Sequence, residues 1–148
     1  MTYQKEKTAQ NRRLVNFLEV ACKQKKKVRV GKKYGNKKTT RTLGGEIYEF
    51  DSLKEARRFD ELVSMYRAGE IEALTLQPEY EIAGRVYDKQ HNKWLRARKY
   101  VADFRYVKNG RIIVEDVKSN ITKQNPVYTL KKQLFLERYG HEVEFREV

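Results

Sequence analysis

Asp103, Asp116 and Lys118 are the residues whose types and spacing could do chemistry. Tyr100, Ala102, Phe104 and Tyr106 alternate with Val101, Asp103, Arg105 and Val107, the period-2 pattern of a strand. Asn109-Gly110 follows, two residues that tolerate positive φ and mark a hairpin turn. On the next strand Ile112, Val114, Asp116 and Lys118 share one face, and Ile113, Glu115 and Val117 the other. Asp116 and Lys118 thus point the same way, roughly 7 Å apart. They close an apolar strand where a loop can open a site, and strand pairing can bring Asp103 close. Two carboxylates and a lysine suit a hard cation such as Mg²⁺, the ammonium steadying an attacking water or the developing phosphate charge. The same spacing also fits an ordinary solvated Asp–Lys pair worth under ~1 kcal/mol.

The elements that must position these residues follow from periodicity. DSLKEARRFDELVSMYRAG is a helix with Leu53, Ala56, Phe59, Leu62/Val63 and Tyr66 on one face and Gly69 as its stop. Ser52 and Glu55 have the spacing of a capping box, in which Glu55 satisfies a backbone N–H. Ile71 to Leu76 leads into Gln77-Pro78, where Gln77 caps a turn, and then a strand over Tyr80–Val86 with Gly84 as a bulge. A polar loop over 87–94 joins the long strands. Trp94 is expected to pack, with stacking on a base the alternative; His91 and His141 are expected at the surface. After the loop 119–126, Pro126 opens a helix that runs to Gly140. Its stripe is Val127, Leu130 and Leu134, widened by Phe135 and Leu136, with Lys131 and Lys132 placed to reach phosphate. Glu142–Glu147 reads as a last strand. The order helix, three strands, helix, strand predicts an α/β fold whose last strand lies parallel to the third.

The charge is uneven. The chain has 148 residues and a net charge of +13, and residues 1–45 hold 14 Lys/Arg against 2 Glu, so the remainder is near neutral. Residues 1–45 therefore read as a basic N-terminal helix (8–24) and a mobile basic arm (23–45). The partner this implies is a polyanion, most often nucleic acid, with a solubilising tail as the alternative. Candidate phosphate contacts are Arg12, Arg13, Lys25, Lys26, Lys27, Lys32, Lys33, Lys37, Lys38 and Lys131. No run of ~18 apolar residues exists and no signal-peptide core, so no membrane partner is expected. The lone Cys22 suits a reducing cytoplasm. There is no Walker loop, GxGxxG, HExxH or zinc spacing.

Asp103 followed by Asp116-Val117-Lys118 resembles the core motif of the PD-(D/E)XK nucleases, with Ala102 where proline is common. Phe50-Asp51-Ser52 and Glu55 resemble the first-helix motif of phage Holliday-junction resolvases in that superfamily. More closely, residues 34–148 resemble a phage and prophage family long described as a domain of unknown function and taken to be PD-(D/E)XK nuclease-like. KYGNKKT, YEFDSLKEARRFDEL, RAGEI, LQPEYEI, YVADFRY, VEDVKS and LKKQLFLERYG carry the likeness; Ser119 stands where that family usually has glycine.

The resemblance implies an α-β-β-β-α-β core with a central mixed sheet over residues 46–148. It implies Glu55, Asp103, Asp116 and the Val117 carbonyl as ligands of Mg²⁺, with Mn²⁺ substituting, and Lys118 positioning water; Gln77 would approach the site. The expected protein is a homodimeric DNA endonuclease acting on branched DNA, such as Holliday junctions, in the cytoplasm of a bacterial host. The rivals are a non-catalytic DNA-binding accessory protein, or a mismatch nickase, restriction-type or transposon-end nuclease of the same fold.

Overall fold

The computed structural model describes residues 38–148. They group into two compact units, the first ending at Leu76 and the second running from Gln77 to Val148. The helix expected over 8–24 lies outside the described residues, as do all the candidate phosphate contacts from Arg12 to Lys37.

In the first unit, β1 (Thr39–Leu43) and β2 (Glu46–Phe50) form an antiparallel hairpin. Gly44 and Gly45, at φ +61° and +90°, make its two-residue turn, a conformation that favours glycine. Residues 39–45 were expected in a mobile arm, on their Lys/Thr-rich composition. Cross-strand pairing overrides composition here: Leu43, Tyr48 and Phe50 are buried on one face. Lys38, expected to meet phosphate, is 3.5 Å from Glu49 across the hairpin.

Helix α1 (Leu53–Arg67) begins at Ser52, whose side chain accepts from the Glu55 N–H. It buries Glu55, Ala56, Phe59, Leu62 and Val63, and Phe59 packs on Tyr48 and Phe50 at ring distances of 5.5 and 4.9 Å. Leu53, expected on this face, is exposed; Glu55 takes the buried position in the first turn instead. The helix stops as expected at Gly69, φ +75°. The Gly69 N–H donates to Tyr66 O and the Glu70 N–H to Met65 O, the paired bonds that satisfy a helix's last carbonyls. Strand β3 (Glu72–Leu76) follows.

The second unit is built on a mixed sheet. Strand β8 (Phe104–Lys108) runs antiparallel to β9 (Arg111–Asp116), and β10 (Glu144–Glu147) runs parallel to β9, with Phe145 opposite Val114. Asn109 and Gly110 turn the β8–β9 hairpin at φ +52° and +75°, as their residue types predict. Before this sheet, β4 (Glu79–Ala83) pairs antiparallel with β7 (Arg98–Val101), with a register shift between Glu81 and Ala83. The irregularity thus falls just before Gly84. Between these strands, β5 (Val86–Asp88) and β6 (Lys93–Leu95) make a short hairpin where a plain polar loop was expected. Trp94, expected to pack, is 55% exposed on it.

A short helix α2 (Asn120–Lys123) precedes α3 (Pro126–Tyr139), which Pro126 opens and Asn125 caps by accepting from the Val127 N–H. The stripe expected on α3 is corrected: Val127 and Leu130 are exposed, and Phe135 is the residue it buries. Aromatic bulk decides which face turns inward, because Tyr128, Phe135 and Tyr139 lie on one side of the helix and aromatic rings bury the most area per residue. Phe135 stacks on Tyr100 at 4.9 Å and meets Tyr80 and Phe145 edge-on or tilted. Ile82, Tyr100, Ala102, Val114 and Phe135 form the centre of this core.

The long strand expected over 99–107 is broken at Ala102–Asp103, between β7 and β8. The break changes which way the alternation faces. Tyr100 packs toward Val114 and Phe135, whereas Phe104 and Tyr106 lie opposite Glu115 and Ile113 on β9, whose side chains point to the other side.

Candidate functional site

The strand break places Asp103 where a regular strand would not. Its carbonyl accepts from the Gln77 N–H at 2.9 Å, and its own N–H donates to Glu115 O at 3.0 Å. Its carboxylate turns back over the end of β9: Oδ2 accepts from the Val117 N–H at 2.7 Å and lies 3.5 Å from Lys118 Nζ. Asp116, the last residue of β9, is 1% exposed. Its Oδ1 ion-pairs with the same Lys118 ammonium, and its Oδ2 accepts from the Tyr100 hydroxyl. Two carboxylates therefore converge on one cation, as the spacing predicts. The solvated-pair alternative fails on burial, since a charge taken out of water must be paired and hydrogen-bonded.

Electrostatics follow this geometry. Burial pulls the Lys118 pKa down, but Asp103 and Asp116 outweigh it and the net shift is upward. The Tyr100 hydroxyl is pushed up by burial and then by the Asp116 charge, so it remains a donor to Asp116. Asp116 Oδ1 is buried and is met by the Lys118 ammonium.

A second polar group adjoins the first. Tyr128 Oη donates to Glu147 Oε1 at 2.6 Å, and Lys132 Nζ lies 2.8 Å from the same oxygen. Burial would raise the Glu147 pKa, but the bonds from Lys132 and Tyr128 more than offset it and hold it below the ordinary value. Lys132 is thus committed to Glu147, while Lys131 lines a cleft of about 280 Å³ with Asp116, Lys118, Tyr100, Tyr128 and Asn125. A basic rim beside two carboxylates is suited to a phosphate ester, whose oxygens take donors from Lys and Asn.

Gln77 reaches Asp103 through its backbone. Glu55 performs the capping role: Ser52 Oγ accepts from the Glu55 N–H at 3.1 Å, and Glu55 Oε2 accepts from the Asp51 N–H at 3.2 Å. Its back-bond lands one residue before the Ser52 N–H that a capping box predicts. Among the described residues no three His, Cys, Asp or Glu side chains converge into a group that could hold a metal. The sequence reading missed Tyr100, Tyr128 and Asn125. The signal for Tyr100 was its place in a buried alternation, since a buried tyrosine hydroxyl needs a partner.

The molecule is therefore a mixed α/β protein with a carboxylate–lysine centre at the end of a sheet. Residues 31–147 match the family described as "Protein of unknown function (DUF1064)", and the chain belongs to that family. No curated protein and no solved structure matches it. No helix among the described residues is long and apolar enough to cross a membrane.

Two outcomes follow from the charge arrangement. Lys118→Met leaves Asp116 buried without its cation and should cost about 3 kcal/mol in urea unfolding. Adding Asp116→Asn should recover much of that loss, and a loss under ~1 kcal/mol would show a solvated pair. Glu147, with its folded pKa depressed, contributes stability that is present above the ordinary glutamate pKa and lost as pH falls through the folded value. The stability difference between the wild type and Glu147→Gln should hold steady above about pH 5 and shrink toward pH 3; a difference that grows in acid would refute the pairing.

Proposed function

We propose that the chain is a Mg²⁺-dependent DNA endonuclease that hydrolyses phosphodiesters at the Asp103–Asp116–Lys118 centre, with branched DNA such as a Holliday junction as its substrate. The observation that carries this reading is the convergence of Asp103 and Asp116 on a single cation beside a basic cleft. The donor set fits Mg²⁺. Both side chains offer hard oxygen donors. Two carboxylates fall short of a closed cage, which suits an ion that completes its shell with waters and substrate phosphate. When bound, Mg²⁺, or Mn²⁺ in its place, supplies positive charge against the scissile phosphate and acidifies water.

The chain's own residues do the rest. Asp103 and Asp116, with the Val117 carbonyl, would hold the ion. The Val117 N–H fixes the Asp103 carboxylate before substrate arrives, and Tyr100 fixes that of Asp116. Lys118 would offer its ammonium to the attacking water or the phosphate. Lys131 takes a neighbouring phosphate oxygen. The basic N-terminal residues add sequence-independent affinity that falls steeply with salt. Two symmetric cuts at a branch require a homodimer. Glu55 enters this reading only through the resemblance; within its own unit it acts as a cap.

A second reading is a DNA-binding accessory protein that keeps the fold without catalysis. The Lys118 ion pairs favour it, since its ammonium already occupies the space between the two carboxylates. Cleavage of a four-way junction with Mg²⁺, stopped by EDTA, separates the two readings. Asp116→Asn should then lose cleavage at least a hundredfold while junction binding is kept, and intact cleavage in that variant would remove Asp116 from the chemistry. Glu55→Gln should leave the melting temperature nearly unchanged, because glutamine also caps. Loss of cleavage in that variant would assign Glu55 to the metal, and full cleavage would leave it a cap alone.

A further inference from the structure

The β5–β6 hairpin has the composition of a contact surface. Val86, Tyr87, Trp94 and Leu95 are all exposed, Trp94 by 55%, and a two-stranded hairpin of this length gains little stability alone. Its conformation is set locally. Asp88 Oδ1 accepts from the Gln90 and His91 N–H groups at 3.1 and 3.2 Å, and Tyr87 pairs across the strands with Trp94, ring to ring at 5.2 Å. The Tyr87 hydroxyl donates to Asn92 Oδ1. The aromatic pair is thus held in place while over half of the indole stays in water. An exposed tryptophan held this way costs hydrophobic free energy that a structural role would recover by burial.

The charges point to the partner. Arg85, Lys89, Lys93, Arg96 and Arg98 cluster along residues 85–98, with Asp88 the only carboxylate among them. Asp88 is engaged with His91 at 2.8 Å, so within residues 85–98 no other carboxylate offsets the five cations. Lys118 and Lys132, by contrast, are neutralised by carboxylates. The Arg85 guanidinium lies 4.5 Å from the indole centroid, which joins a cation to the aromatic surface.

We propose that this hairpin is a nucleic-acid-binding element in which Trp94 stacks on an unpaired base while Arg85, Lys93 and Arg96 meet the flanking phosphates. Every base has a π face, so stacking on one exposed ring tolerates sequence, and cations on either side track the backbone. A duplex keeps its bases stacked on one another and offers the hairpin phosphates alone. The element therefore selects unpaired nucleotides, the feature that separates a branched or single-stranded region from uniform duplex. This assignment needs neither metal nor cleavage, so it stands or falls separately from the nuclease reading.

The chain contains a single tryptophan, so its emission, excited at the red edge where tyrosine does not absorb, reports from this hairpin. Titrating the full chain with single-stranded oligonucleotides of about 16 nucleotides, thymidine-DNA and uridine-RNA in separate arms, should quench Trp94 emission, and the stronger arm identifies the sugar. A blunt duplex should bind, by anisotropy of a labelled strand, with little quenching. Trp94→Ala should weaken single-strand binding about tenfold and leave duplex binding within about twofold. Trp94→Phe, which keeps an aromatic cross-strand pair, should retain most of the affinity and guards against collapse of the hairpin. Neutralising Arg85, Lys93 and Arg96 to Gln should lower the log–log salt slope for single strands by about 2. Absence of single-strand binding, or binding with unchanged fluorescence, overturns the proposal. So does equal quenching by polyglutamate, which would mark an acidic protein as the partner.

Discussion

Asp116 cannot be buried at the end of β9 without a cation, and the second unit is arranged around that requirement. An ionised carboxylate taken out of water is stable only where charge and hydrogen bonds replace its hydration. Lys118 supplies the charge from two residues away, along the same strand direction. Tyr100 supplies the hydrogen bond from β7, and Asp103 shares the ammonium from the strand break. The backbone leaves this end of β9 little freedom: Val148 N–H donates to Asp116 O at 3.0 Å, and Lys118 N–H donates to Val148 O at 3.1 Å. The backbone carrying Asp116 and Lys118 is thereby held in place on both sides.

The aromatic core and the polar centre are one construction. Tyr100 lays its ring on Phe135, interplanar angle 27°, and delivers its hydroxyl to Asp116. Tyr128, partly buried against the same core, sends its hydroxyl from α3 to Glu147 on β10. Each tyrosine spends its polar tip on a carboxylate, so residues packed on the core also orient these charges. A leucine in place of Tyr100 would fill space and leave Asp116 Oδ2 without that donor.

Much of this was legible in the sequence where one rule dominated. The Asn109-Gly110 turn, Pro126 at the start of a helix and Gly69 at the end of one each carry a steric or hydrogen-bonding cause that tertiary context did not overturn. The pairing of Asp116 with Lys118 followed from strand period, whereas Asp103 joins them through the strand break. What escaped was set by partners distant in the chain. Strand β1 is polar in composition and becomes a strand because β2 pairs with it. The break at Ala102–Asp103 is not encoded by glycine or proline; it shows only once Pro78 O and Glu115 O take the Ala102 and Asp103 N–H groups. On α3 the apolar period pointed to Val127 and Leu130, and ring size chose another face. Glu55 illustrates a different limit, because one carboxylate satisfies the spacing of both a cap and a ligand.

The parallel pairing of β10 to β9 makes half of the centre depend on contacts distant in the chain. The β8–β9 hairpin closes across two residues, a local event with little loop entropy to overcome. Strand β10 reaches β9 only after residues 117–143, α3 included, have folded back. Asp116 thus lies on a strand whose hairpin partner is local, while Tyr128, Glu147 and the Val148 backbone reach it only across a long stretch of chain. With α3 and β10 detached, the end of β9 would stand as an open strand edge without Tyr128 and Glu147 beside it.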